Sequence, residues 1–438
     1  MSQEATRYMR WLSALALILF SLKPFDAGTA SAASPAHTAK YEMVFKGPWS
    51  EDSTNNGLQH LEHVNVCIPS HEPGKHLYYE LLGLVPDVRR ADNLKKGAGT
   101  IWANIGTSQI HLPTGEPQVI PGTIGLVYNS KDIADVMARL RTATSGDGKV
   151  AMDDPGSDHN ALVGTKFGWR TVQGAEEEDV TLIEVTCPYG NVFRLHEQRS
   201  AVFDQEDQDL DTGAGVLDPR GGRLPSIPVD ERTSSPSPLG LGMAYVSFRV
   251  RPGTAEGIAR FYREIFSTEA EEIGGIGDGR DGEETCDTEG SSGNHACSVN
   301  VSDGKILRMS LSLVFLLSPG STAVVRVGPV QHLVFVEGEE ALPEYDGHHI
   351  CVYLSDEGFR RSFLEAERRG LVFVNPRRNF GKADTLEKAL EEKQYRIKHL
   401  VDPATGEFLH ELEHEIRSVS HPSYPVGRDL SEEMLMKM

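Results

Sequence analysis

Asp346-Gly347-His348-His349-Ile350-Cys351-Val352-Tyr353-Leu354 and Asp402-Pro403-Ala404-Thr405-Gly406-Glu407-Phe408-Leu409-His410-Glu411-Leu412-Glu413-His414-Glu415 open and close the stretch that decides the fold. Between them lie an amphipathic helix, Phe359 to Arg369, and two strand-like runs. A histidine on the first strand and a glutamate on the last are placed to meet across a curved sheet. The rest of the chain reads as three worn copies of this unit.

The first copy starts at Leu61-Glu62-His63-Val64-Asn65-Val66-Cys67-Ile68-Pro69, a strand stopped by proline. A short helix follows from Gly74 to Leu84, with Leu77, Leu81 and Leu84 on one face, and then the strands Thr100 to Ile105 and Gln109 to Pro113. The second copy has a strand at Gly122 to Tyr128 and a helix at Lys131 to Ala143. Its strand pair, Asp179 to Cys187 and Gly190 to Glu197, surrounds the turn Pro188-Tyr189-Gly190. The third begins at Met243 to Val250, and its helix carries Ile258 to Phe266. Ile101 to Leu112 matches Ala323 to Val334 with one Gly and one Gln at the same spacing, Gly106 and Gln109 against Gly328 and Gln331. Tandem repeats of this size point to paired supersecondary units.

The segments between the copies have a different character. Arg7 and Arg10 precede the apolar run Trp11 to Leu22, and Ala30-Ser31-Ala32 offers a cleavage site, so residues 1–35 read as a signal peptide. The expected destination is the secretory pathway, secreted or lumenal. The alternatives are an organelle such as a plastid reached by a two-step route, or anchoring through residues 11–22. Residues 201–240 lose periodicity and read as a disordered linker; 274–295 is an acidic, Gly-rich insertion; 418–438 is a polar C-terminal tail.

A chain of 438 residues suits two or three domains. Its net charge of -21 argues against nucleic acid and against an anionic membrane surface, both of which reward Lys and Arg. Of five cysteines, Cys67, Cys187 and Cys351 sit in or beside apolar strands and read as small core residues, while Cys286 and Cys297 are spaced to close a loop in an oxidising compartment. No Cys-x-x-Cys pair exists, which removes zinc ribbons and thioredoxin-type redox chemistry.

The motifs His63-Val64-Asn65-Val66, Tyr78 to Leu84, Pro188-Tyr189-Gly190-Asn191-Val192-Phe193-Arg194-Leu195, and Asp402-Pro403 through Glu411-Leu412 together resemble the vicinal oxygen chelate superfamily. That superfamily includes glyoxalase I, bleomycin-resistance proteins and extradiol dioxygenases. The resemblance implies an α+β fold of four βαβββ modules whose sheets curl into two open paired-module barrels. Domain one is expected at 58–200 (modules one and two) and domain two at 241–417 (modules three and four).

It also implies metal ligands on the first and last strands of a module. Module one offers His63 and His111, module four His349 and Glu411. Module two offers Ile124 and Arg194, and module three Tyr245 and Leu333, none of them suited to a metal. Pairing of neighbours would leave two ligands per barrel, too few for a catalytic divalent ion. Crossed pairing of modules one and four brings His63, His111, His349 and Glu411 together, and is the expected arrangement. His348 should face away from His349, His399 or His410 would support a ligand from behind, and Glu413, His414 and Glu415 read as partly exposed strand-end charges.

Three imidazoles and a carboxylate suit Zn, Ni, Fe or Mn. The implied function is a metal-dependent enzyme acting on a small substrate with two adjacent oxygens. Glu411 would be both ligand and proton-moving base in a glyoxalase-like lyase or isomerase. Alternatively, His63, His349 and Glu411 would form the facial triad of an iron dioxygenase. The competing class is a metal-free small-molecule-binding protein of the bleomycin-resistance type. The expected partner is a small molecule, with no nucleic acid and no membrane once the leader is removed.

Overall fold

The computed structural model describes residues 57–144, 160–173, 180–197, 239–274, 320–328, 331–376 and 382–424. The leader at 1–35, the linker apart from its last two residues, the insertion beyond Gly274, Cys286 and Cys297, and the tail beyond Tyr424 lie outside them. Among the described residues no helix is long and apolar enough to cross a membrane.

Module one runs β1 (Leu58–Asn65), α1 (His71–Lys75), β2 (Val85–Pro86), β3 (Ile101–Ile105) and β4 (Ser108–Leu112). Its helix continues as a wider π-type segment, His76–Leu81, and Gly83 turns the chain at φ +68°. Module two is β5 (Thr123–Tyr128), α2 (Ser130–Ala143), β6 (Gly168–Gln173), β7 (Val180–Thr186) and β8 (Val192–Glu197). Module three is β9 (Gly242–Val250), α3 (Ala255–Phe266), β10 (Ala270–Ile273), β11 (Thr322–Val327) and β12 (Gln331–Glu337). Module four is β13 (His349–Leu354), α4 (Asp356–Arg368), α5 (Leu386–Glu392), β14 (Gln394–Val401) and β15 (Phe408–Ser418). Its missing strand is reduced to one bridge, Val372 with Ile397.

Local signals set these elements. Asn129 caps α2 by accepting from the Asp132 backbone N–H at 2.8 Å, and Ser355 caps α4 by accepting from Gly358 at 3.1 Å. Ile258, Phe261, Tyr262 and Ile265 make a stripe at helical spacing along α3, and all four are buried. Along β1, Leu61 and Val64 face the core, together with Ile350 and Val352 of β13. The same core cluster takes in Ile124, Phe193, Val246 and Leu333 of the other sheet. Each such aliphatic or aromatic side chain contributes about 1.5–3 kcal/mol on burial.

The strand orders are β14-β15-β13-β1-β4-β3-β2 and β10-β11-β12-β9-β5-β8-β7-β6. Modules one and four therefore share a sheet, and modules two and three share the other, although chain order groups one with two and three with four. The first strands of paired modules run antiparallel, β1 with β13 and β5 with β9. Each last strand lies parallel beside its own first strand. This is the paired-module arrangement that the resemblance implies, in its crossed form. The sheets are open, as the open barrels implied by the resemblance require, their strand orders ending at β14 and β2 and at β10 and β6.

The repeat noticed in the sequence is an interlock between the sheets. A Cβ on Gly106 (φ +55°) would lie 2.0 Å from the Leu241 carbonyl oxygen, and one on Gly328 (φ +58°) 2.3 Å from that of Gln59. Each hairpin turn thus docks without a side chain against the other sheet's opening strand. Gln331 completes the joint. Its Oε1 accepts from the Leu61 N–H at 2.9 Å, while its Nε2 donates to the Leu61 carbonyl at 3.0 Å and the Met243 carbonyl at 2.9 Å.

Candidate metal centre

Those Gln331 bonds hold a bulge. The β1–β13 register shifts between Leu61 and His63, and successive strand residues otherwise point to opposite faces. The shift lets Glu62 and His63 share the polar face, with Glu62 Oε2 2.9 Å from His63 Nδ1. A carboxylate accepts only, so Nδ1 carries the proton and Nε2 presents its lone pair. That Nε2 is buried and has no hydrogen-bond partner.

Two rows cross this face. Gln109, His63, Cys351, Glu415 and Arg396 form one; Trp102, His111, Asn65, His349 and Glu413 form the next. His63, His349 and Glu415 each offer a ligand atom within 4.8 Å of the others, and His349 Nε2 lies 3.5 Å from Glu415 Oε2. The rings of His63 and His349 stand edge to face at 5.6 Å. Glu62, His63 and Cys351 form a second grouping of the same kind. Burial pushes the Cys351 thiol well above its usual value, which keeps it protonated and a poor ligand.

His111 joins the cluster in another capacity. Its ring is stacked on His63 at 3.7 Å and on Trp102 at 4.3 Å, and the Arg90 guanidinium covers the far side of Trp102 at 3.9 Å. Its Nε2 is 3.0 Å from Gln109 Oε1, to which it donates, and that nitrogen is therefore unavailable as a ligand. Burial first, and His63 after it, hold the His111 imidazole well below its usual value.

Glu411 lies elsewhere. It precedes Glu413, the partner of His349 at the start of β13, and it pairs across to His399 of β14. Its half-buried carboxylate forms an ion pair with Lys398. Glu415, two pairs further along the same face, is the carboxylate that meets the histidines. Glu413, His414 and Glu415 are also not strand-end charges: they are 3%, 0% and 2% exposed. His414 accepts from the Tyr262 hydroxyl at 2.6 Å and so ties module four to α3. His399 is exposed and His410 lines a different cleft, so neither stands behind a ligand.

Two arginines that the sequence reading passed over organise the carboxylates. Arg396 pairs with both Glu413 and Glu415, and Arg417 with both Glu415 and Glu62, the last at 2.7 Å. The Tyr353 hydroxyl donates to Glu62 at 3.0 Å. Burial alone would raise the Glu415 carboxyl; Arg396 and Arg417 outweigh it and hold it well below the usual carboxylate range. Burial lowers His63 against the opposing pull of Glu62, so the imidazole is neutral and able to ligate. Three buried carboxylates (Glu62, Glu413, Glu415) face the guanidiniums of Arg396 and Arg417. Two imidazoles, the orphaned Nε2 of His63 among their nitrogens, and the Glu415 carboxylate fit a divalent cation. The sequence signal for Glu415 was present as acids at 411, 413 and 415 on one strand face, but only the register selects among them.

The second sheet has no such set at the matching place. Ile124 and Leu333 belong to the apolar core. The Tyr245 ring lies over Gly125, where a Cβ would come within 2.2 Å of it, and its hydroxyl is 3.0 Å from His196 Nε2. Arg194 pairs with Glu184 at 3.2 Å.

No family model matches the sequence, and no curated protein matches it. Among solved structures the chain is similar to a Bacillus subtilis protein provisionally assigned as a dioxygenase, at 12% identity over 88% of this chain and 90% of that one, with a TM-score of 0.42. It is also similar to glyoxalase I from Zea mays, at 11% identity over 82% and 92%, TM-score 0.38. A third is the Mn(II)-bound glyoxalase from Novosphingobium aromaticivorans, at 12% over 83% and 86%, TM-score 0.23. The fold assignment rests on the module order and registers given above.

Proposed function

We propose that modules one and four together form a divalent-metal site, held by His63, His349 and Glu415, for a small substrate bearing two adjacent oxygens. The observation that carries this reading is the buried, unpartnered Nε2 of His63 set within 4.8 Å of ligand atoms from His349 and Glu415. Two imidazoles and one carboxylate suit iron, manganese, nickel or zinc. A metal bound there would supply Lewis acidity to adjacent substrate oxygens.

The chain's own residues have separable tasks. Glu62 fixes the His63 tautomer and ring orientation. Arg396 and Arg417 anchor Glu415 and, by lowering its proton affinity, make it a weak base. This favours a dioxygenase-type use of a two-histidine, one-carboxylate set over an isomerase in which the ligand carboxylate moves the proton. His111 and Trp102 stack in series behind His63, with Arg90 closing the stack, and so hold the His63 ring in place.

Metal analysis of the purified full chain, reconstituted separately with Fe(II), Mn(II), Ni(II) and Zn(II), tests the reading. Stoichiometric retention that is lost in both His63→Ala and His349→Ala is the expected result. Failure of the wild type to hold any of the four ions would leave the metal-free binding protein as the better account.

A further inference from the structure

Beside β13 and β15, away from the ion-paired rows, is a cleft of about 280 Å³ where module four meets the β9 end of module three. His348 and His410 line it, with Tyr345, Phe408, Leu342 and Arg251. Both imidazoles pack against Phe248, with ring centroids at 6.3 and 6.2 Å. They are 3% and 8% exposed, and the Nε2 atom of each is buried without a hydrogen-bond partner. Leaving one such atom unsatisfied costs about 1–3 kcal/mol, and two of them belong to the lining of this one cleft.

His348 is held in a defined orientation. Its Nδ1 is 2.7 Å from Asp346 Oδ1, and the other Asp346 oxygen accepts the Val119 N–H at 2.6 Å. The carboxylate is pinned from both sides and accepts the Nδ1–H, so the ring is fixed in orientation, and a neutral imidazole so held keeps Nε2 as its acceptor. His410, pressed down to about 4 by burial, is neutral at pH 7. The rest of the lining is largely apolar, and its charges, Arg251, Glu344 and Glu411, are of both signs. Arg251 is already engaged, donating to the Phe408 carbonyl at 2.6 Å.

We propose that this cleft is a second binding site, taking a small, neutral, mostly apolar molecule whose hydroxyl group donates to His348 Nε2 and meets His410. A phenol has the required chemistry: one O–H donor, oxygen lone pairs to accept, and a flat apolar body to lie against Tyr345, Phe408 and Leu342. Because the cleft uses neither His63, His349 nor Glu415, the proposal stands or falls separately from the metal reading.

Titration of the full chain with 4-fluorophenol, followed by fluorine NMR, tests it, with fluorobenzene as the probe that lacks the donor. Saturable binding is expected, with fluorobenzene weaker by about tenfold or more, the worth of one buried hydrogen bond. His348→Phe and His410→Phe should each abolish the preference for the phenol. His410→Phe should not lower the melting temperature, since its buried Nε2 has no partner to lose, whereas His348→Phe gives up the Asp346 bond and should lower it modestly. His410→Asn serves as a second variant should either fail to fold. Equal binding of both probes, or phenol binding that survives in the histidine variants, overturns the proposal. Loss of phenol binding in His63→Ala with both cleft histidines intact would place the phenol at the metal centre and overturn it equally.

Discussion

Glu411 and Glu415 lie on the same strand with the same parity, yet one ends against Lys398 and the other between two histidines and two guanidiniums. Glu415→Gln should therefore weaken Mn(II) binding by more than about tenfold, and Glu411→Gln should leave it within about twofold. Isothermal titration of both variants decides this, and equal losses would refute the assignment. Removing the Glu415 charge also leaves Arg396 and Arg417 short of a partner. Stability should then fall by about 3–5 kcal/mol, the cost of breaking a buried pair from one side, so melting must be followed in parallel. Glu62→Gln should act through His63, lowering metal affinity by about 10- to 100-fold without removing a ligand. At this scale the sequence exposed His63, His111 and His349 as unusual residues on apolar strands. It concealed Glu62, because neighbouring strand residues ordinarily face opposite ways and only the bulge turns both to one side.

The element that decides whether the site assembles is the hairpin turn carrying Gly328 and Gln331. Gly328→Ala puts a Cβ 2.3 Å from a backbone oxygen at a positive φ, and neither can yield cheaply. A loss of about 2–4 kcal/mol is expected from strain of this kind, read from urea denaturation midpoints. A change below about 0.5 kcal/mol, the level of an ordinary surface substitution, would show that the interlock has slack. Gln331→Leu leaves the Leu61 N–H at the bulge without its partner and the Leu61 carbonyl with Ser108 Oγ alone. It should lower both stability and metal affinity, although Gln331 touches no ligand. The spacing of Gly and Gln was visible as a repeat in the sequence. That the repeat joins two sheets was not, since its partners are backbone atoms distant in the chain.

Across the whole molecule, both sheets are built from both halves of the chain. Cleavage anywhere in 198–238 should leave the two fragments associated through the β1–β13 and β5–β9 pairs. Size exclusion under native conditions checks this, and separate elution of the halves would contradict crossed pairing. Acid sensitivity is a second global property. Burial holds His196 and His332 down to about 4, against an ordinary value of 6.5. Between these values the unfolded chain binds more protons than the folded one, so stability rises with pH through the window. It is lost as pH falls from about 6.5 toward about 4, at up to ~1.4 kcal/mol per pH unit for each histidine. Denaturation midpoints at pH 7 and pH 5 measure the slope, and His196→Phe should flatten it.

The sequence by itself determined the modules. Period-2 and helical patterns, caps and turns are local, and they placed four strand–helix–strand units and their histidines; ligand counting favoured crossed pairing without deciding it. Tertiary structure decided which modules share a sheet, which carboxylate meets those histidines, and that Arg396 and Arg417 share the acids between them. It also decided that His348 and His410 line a cleft of their own. These outcomes depend on register, on a bulge and on contacts between residues hundreds of positions apart. A strand's alternation specifies which face a side chain takes, but how far along the neighbouring strand it lands is set only when the two strands pair.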